Sequence, residues 1–149
     1  MRNCRSLILA ALLVAGLPAG AGESATALIA QADRLWAENR LELAQKSFEA
    51  AVKAEPEAAL PRFRLAGFQL ARQQSMAAIA NYQKVIGLEP KNAKAWIGLG
   101  MAYLHVGKPE MAHAALDEAV RIEPQRREKL APLLAKLETR NSSNGVHSN

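Results

Sequence analysis

The chain is poor in the groups from which reactive centres are built. Of its 149 residues a single one is cysteine, Cys4, near the N-terminus. Disulfides and four-thiolate metal sites are thereby excluded. Histidine occurs three times, and His147 falls in a polar C-terminal stretch. His105 and His113 flank Gly107 and Pro109, a turn that puts them on different helices. No acid at ligand spacing completes a zinc set with them. Ser24, Ser47 and Ser75 lack the Gly-x-Ser-x-Gly setting of a nucleophile. Gly16, Gly20 and Gly22 lie near the N-terminus, and Gly98 and Gly100 lie within a helical pattern, so no phosphate loop forms. The adjacent Asp117 and Glu118 point in different directions on a helix. The expectation is a non-enzyme with no cofactor and no metal.

The first 21 residues follow a different pattern. Arg2 and Arg5 precede an apolar run from Leu7 to Leu17, and Ala19-Gly20-Ala21 is a small-x-small cleavage site. This is the layout of a secretory signal peptide cut after Ala21. A helix needs about 20 apolar residues to span a bilayer, which the run does not reach. Cys4 precedes that run rather than following it, so lipidation is not expected, and the mature chain holds no thiol. Its expected location is periplasmic or secreted, with no integral membrane span.

A fixed spacing organises what remains. Pro56, Pro90 and Pro124 stand 34 residues apart, each behind a glutamate: Glu55, Glu89 and Glu123. Ala32, Ala66 and Gly100 share that step, as do Ala44, Ala78 and Ala112, and Phe48, Tyr82 and Leu116. Such a period marks a helix–turn–helix solenoid. Small residues permit two helices to cross closely, and the bulky column fills the space between hairpins. The prolines end each second helix. Gly107 suits a left-handed turn residue and Asn39 can replace it; Gln73 fits worse, and a looser turn is expected there.

These columns resemble the tetratricopeptide repeat (TPR), in an exported bacterial form. Residues 93–126 match best, through Trp96, Leu99, Gly100, Tyr103, Gly107, Ala112, Ala119 and Pro124. Residues 59–92 carry Arg62 where an aromatic is usual, and residues 25–58 carry Gln31 where leucine is usual. The resemblance implies an all-α, right-handed superhelix of three repeats within a domain spanning 22–140. Leu130, Leu133, Leu134 and Leu137 recur at helical spacing and predict a capping helix over about 129–139, with Pro132 in its first turn. Residues 141–149 are polar, without periodicity, and expected to be disordered. The sequon Asn141-Ser142-Ser143 has no meaning in a bacterial protein.

The resemblance further implies a concave groove lined by the first helix of each repeat. On that face Ile29, Phe63 and Ile97 make one apolar column, and Trp36, Leu70 and Leu104 a second, which suits core as readily as ligand. Arg40, Arg64, Lys94 and Lys108 flank them, with Met101 and His105 alongside. An acidic or amphipathic peptide or helix of a partner protein suits such a groove. The two-asparagine, three-cation clamp of some family members is absent: Ile29 and Asp33 stand at its first positions, and Arg64 and Gly98 replace later members.

Charge is uneven along the chain. The first repeat holds four basic and six acidic residues, the second five basic and one acidic, and the third four of each. This pattern suits either an oriented binding surface or a merely solvated face. The whole chain carries +5, and losing the two leader arginines leaves +3. So small an excess, without an aromatic-plus-basic stacking motif, argues against nucleic acid. The expected function is a protein–protein adaptor of the bacterial envelope, serving assembly of a pilus, secretion or cell-wall complex. The alternative is a structural protein that pairs with its own copies. Intact-mass measurement after expression in a secreting host should show mature protein beginning at Gly22; Met1 retained in a membrane fraction would refute the leader.

Overall fold

The computed structural model describes residues 22–144, so the expected leader and the last five residues of the expected disordered tail lie outside the described residues. Three helix pairs follow one another: α1 (Ala25–Ala37) with α2 (Leu41–Ala54), α3 (Ala59–Ala71) with α4 (Ser75–Leu88), and α5 (Ala93–His105) with α6 (Pro109–Ile122). A 3-10 turn at Pro124–Arg126 leads into α7 (Arg127–Asn144). There is no strand among the described residues. The backbones of the first helices α1, α3 and α5 approach within 8 Å in sequence, whereas those of α2, α4 and α6 do not come that close to one another. The layer of first helices is therefore the tighter one, and the stack curves around it.

Local signals set the helix ends. The Ser24 hydroxyl accepts from the Ala27 N–H at 3.2 Å, and the Asn92 side chain accepts from the Ala95 N–H at 3.0 Å. Glu55, Glu89 and Glu123 close α2, α4 and α6 with nearly one geometry (φ −134°, −131°, −126°). Their ψ values of 75°, 79° and 85° lie outside the α region, which a following proline disfavours.

The expected crossings are present. Ala32, Ala66, Ala44, Ala78 and Ala112 have no measurable exposure. At Gly100 a Cβ would lie 2.9 Å from Leu116 Cγ, too close for any residue but glycine. Phe48 and Leu116 are fully enclosed. Both departures from the repeat pattern have physical explanations. Gln31, on the outer side of the first pair, accepts from the Ser47 hydroxyl at 3.2 Å. Arg62 donates to the Pro56 carbonyl at 3.3 Å, as Trp96, one repeat later, donates from Nε1 to the Pro90 carbonyl at 2.9 Å.

Three expectations fail here, and one boundary moves. The turn at Gln73 is not looser: Asn39, Gln73 and Gly107 have φ of 58°, 60° and 70°. All three turns close alike, by Arg40 N–H to Leu35 O, Gln74 N–H to Gln69 O and Lys108 N–H to Tyr103 O, at 2.8–2.9 Å. Packing of the helix pair imposes the turn, and Gln73 accepts the left-handed strain. The terminal helix begins at Arg127 rather than Lys129, because the 3-10 turn runs straight into it. Pro132 is therefore inside the helix, beyond the first turn, and one backbone hydrogen bond is forgone. The helix continues to Asn144, into the segment expected to be disordered, since no glycine or proline intervenes between Leu137 and Gly145. Leu134 and Leu137 are buried, and His113 of α6 meets Glu138 of α7 at 3.5 Å.

A left-handed conformation costs a side-chain-bearing residue about 1–2 kcal/mol, part of which glycine gives back as backbone entropy. Gln73→Gly should therefore raise unfolding stability by about 0.5–1 kcal/mol in urea titration. Asn39→Gly should gain less, because asparagine tolerates this region better. A loss of stability in Gln73→Gly would show the turn to be unstrained.

Candidate peptide-binding groove

The inner layer is shaped at its centre by a side chain from the outer one. Tyr82 of α4 sends its ring between α3 and α5 and is only 4% exposed. It fits because α5 has glycine at that point: a Cβ on Gly98 would stand 2.3 Å from Tyr82 Cζ and 2.7 Å from its oxygen. The hydroxyl also lies 3.8 Å from where a Gly67 Cβ would be, on α3. Phe63 stands edge-on to the Tyr82 ring, with centroids 5.9 Å apart, and remains half-buried. Phe63 and Gly67 are four residues apart on α3, and Lys94 and Gly98 are four apart on α5, so each pair shares a helix face. Burial raises the Tyr82 phenol above its ordinary pKa, so at neutral pH it is a protonated donor.

The predicted groove residues separate into groups. Phe63, Ile97 and Met101 are half-buried and Lys94 is exposed, in the positions expected of a binding face. Ile29 is not among them. It is 9% exposed and belongs to the first core cluster, with Leu28, Phe48, Leu65 and Phe68. No tyrosine rises beneath it, because Phe48, the counterpart of Tyr82, packs instead against Phe68 at 5.4 Å. Arg64 is no free rim cation either: its guanidinium donates to the Asp33 carboxylate of α1. Arg40 and Lys108 precede the first residues of α2 and α6, at the turn edge of the stack. Arg40 pairs with Glu38 at 3.3 Å and lines a depression with Leu28, Gln31 and Leu35 on the outer side of the first pair. His105 ends α5, and its Nδ1 lies 3.4 Å from the Ser75 hydroxyl of α4. Trp36 divides its surface, 37% exposed yet 5.3 Å from the Phe68 ring.

The uneven charge joins one repeat to the next. Besides Arg64 with Asp33, Arg72 of the basic repeat reaches Glu42 of the acidic one at 3.4 Å and lies 5.8 Å over the Phe68 ring. Two of the five second-repeat cations are thus engaged with first-repeat acids, and Arg62 is held by a carbonyl. Such half-exposed pairs contribute only about 0–1 kcal/mol each and act more on alignment than on stability. Tyr82, Gly67 and Gly98 were missed as site residues. The available signal was a hydroxyl-bearing residue in a column otherwise filled by Phe48 and Leu116, with glycine ahead of it on the next helix. Among the described residues no cluster of His, Cys, Asp or Glu could hold a metal ion. No helix of the described residues is long and apolar enough to cross a membrane.

Glycine to alanine within a helix ordinarily stabilises by about 0.5–1 kcal/mol. Gly87→Ala should do so, since nothing lies within 4 Å of its added methyl group. Gly98→Ala should instead destabilise by about 1–3 kcal/mol through overpacking against the tyrosine ring. Thermal denaturation of the two variants checks this opposition, and a stabilised Gly98→Ala would mean that the Tyr82 ring is free to swing aside.

Similarity to known proteins runs along nearly all the described chain. Residues 29–78 and 76–137 each match a tetratricopeptide repeat family model. Superkiller protein 3 of Saccharomyces cerevisiae is 30% identical over 63 residues, 42% of this chain but only 4% of that protein. Among solved structures, the first TPR of Spaghetti (RPAP3) bound to the HSP90 peptide SRMEEVD superposes with a TM-score of 0.74 at 17% identity, over 80% of this chain and 94% of that one. The Yersinia enterocolitica type III secretion chaperone SycD, in complex with a peptide of the translocator YopD, gives 0.70 at 18% identity, over 76% and 92%. MamA, as a double mutant, gives 0.71 at 22% identity, over 79% and 66%. At these identities the superpositions establish the fold, and the sequence matches establish the family: the chain belongs to the tetratricopeptide repeat proteins.

Proposed function

We propose that the chain is an exported, non-catalytic adaptor that holds a peptide or helix of a partner protein on the inner face of α3 and α5. The observation that carries this reading is the half-exposed apolar group Phe63, Ile97 and Met101 beside the exposed Lys94. Lys94 makes no ion pair among the described residues, whereas the neighbouring Arg64 is tied to Asp33. Apolar contact with one adjacent cation suits an amphipathic or acidic segment. Structures of the same fold that contain bound peptides support the reading. Placement in the bacterial envelope, in assembly of a pilus, secretion or cell-wall complex, rests on the N-terminal leader pattern.

A second reading is self-association. The outer side of the first pair leaves Leu43 42% exposed beside a depression lined by Leu28, Gln31 and Leu35. That surface could receive a helix pair of another copy, and light scattering across a concentration series separates the two readings.

For the adaptor, a partner captured from envelope extract and then purified provides the test. Phe63→Ala should raise its dissociation rate with helical content unchanged, at a cost of about 2 kcal/mol, on the order of thirtyfold in affinity. Lys94→Glu should slow association at low salt and matter little at high salt. Binding lost only in proportion to lost helicity would make Phe63 core and remove the site.

A further inference from the structure

The Tyr82 hydroxyl is a donor placed at a binding face with no acceptor of its own. The ring is 96% removed from solvent, counting from its 4% exposure, and the hydroxyl has no hydrogen-bond partner among the described residues. It is not among the side-chain atoms sealed off from solvent, so the tip, which lies beside Gly67 of α3 and Gly98 of α5, keeps some contact with water. The counterparts of Tyr82 are Phe48 and Leu116, which carry no polar atom and are fully enclosed. Packing alone is therefore satisfied without the oxygen. An arriving acceptor exchanges a water bond at that tip for a protein one, a net gain of about 0.5–1.5 kcal/mol. Gly98 is covered by the ring itself, but Gly67 on the other flanking helix has only the Tyr82 oxygen, at 3.8 Å, near where its Cβ would be, and that bare backbone lets another main chain come close.

We infer that the groove takes an extended segment of a partner protein, one of whose main-chain carbonyls accepts a hydrogen bond from the Tyr82 hydroxyl between Gly67 and Gly98. This rests on the adaptor reading and narrows it. In a bound helix the interior carbonyls are already bonded within the helix and offer no free acceptor to a hydroxyl on the groove floor. An extended segment leaves its carbonyls free, and successive side chains point alternately away from and toward the floor. One inward side chain then lies on Phe63. An acidic residue in the same segment lies within reach of Lys94, one helical turn from Gly98.

The probe is a set of random twelve-residue peptides displayed on phage and selected on the purified full chain, with the best binder then synthesised. Tyr82→Phe removes only the oxygen and keeps the ring, so its melting temperature should be equal or higher. Its affinity for the peptide should fall about five- to tenfold, the yield of one hydrogen bond. Replacing the peptide's amides by esters one at a time weakens each carbonyl as an acceptor. One replacement should weaken binding to the natural chain and have no such effect on Tyr82→Phe. Equal binding to both chains, with affinity still lost in Phe63→Ala, overturns the hydroxyl contact and leaves the groove standing. A selected peptide that is helical when bound does the same. Binding indifferent to both substitutions, or no peptide selected at all, counts against the groove itself.

Discussion

Close approach of helix backbones is the constraint on which the structure depends. Ala32, Ala66 and Gly100 on the first helices face Ala44, Ala78 and Ala112 on the second, and none leaves space unfilled. With larger residues at either column the pairs would splay, and the Phe48, Tyr82 and Leu116 side chains would no longer reach the next pair. The turns follow from the same requirement. Gln73 adopts the conformation of Gly107 because the helices it connects leave no other path of that length.

The same closeness makes the binding face. A tyrosine from the outer layer can reach the inner one only where the inner helix lacks a Cβ, and Gly98 supplies that notch. The ring then holds Phe63 edge-on at 5.9 Å and half exposed. In the first repeat no such ring rises, and Ile29 lies in the core instead. Equivalent positions in successive repeats thus take different roles because of what lies beneath them. Periodicity predicts equivalence, whereas the local filling of each interval decides exposure.

Charge illustrates a related division. The acidic first repeat and basic second repeat suggest an oriented surface when read along the chain. In the folded protein Arg64 and Arg72 turn toward Asp33 and Glu42 across the junction, and Arg62 toward the Pro56 carbonyl. Cations are consumed in aligning neighbours, which leaves Lys94 as the inner-face charge without an ion pair among the described residues.

The sequence by itself determined the helix pairs, their 34-residue step, the small and bulky columns and the stops at Pro56, Pro90 and Pro124. These are local or periodic properties: a proline lacks its N–H wherever it stands, and a crossing demands a small residue in every repeat. The N-terminal leader pattern is equally local, although its residues lie outside those described. Tertiary structure alone decided which of Ile29, Phe63 and Ile97 reach the surface, which arginines are free, and where the Tyr82 hydroxyl ends. It also decided that α7 starts at Arg127 with Pro132 inside it, since the preceding 3-10 turn, not the leucine spacing, sets the first helical residue. Each of these depends on atoms from two or three helices meeting at one point, and no spacing along the chain records which atoms will meet.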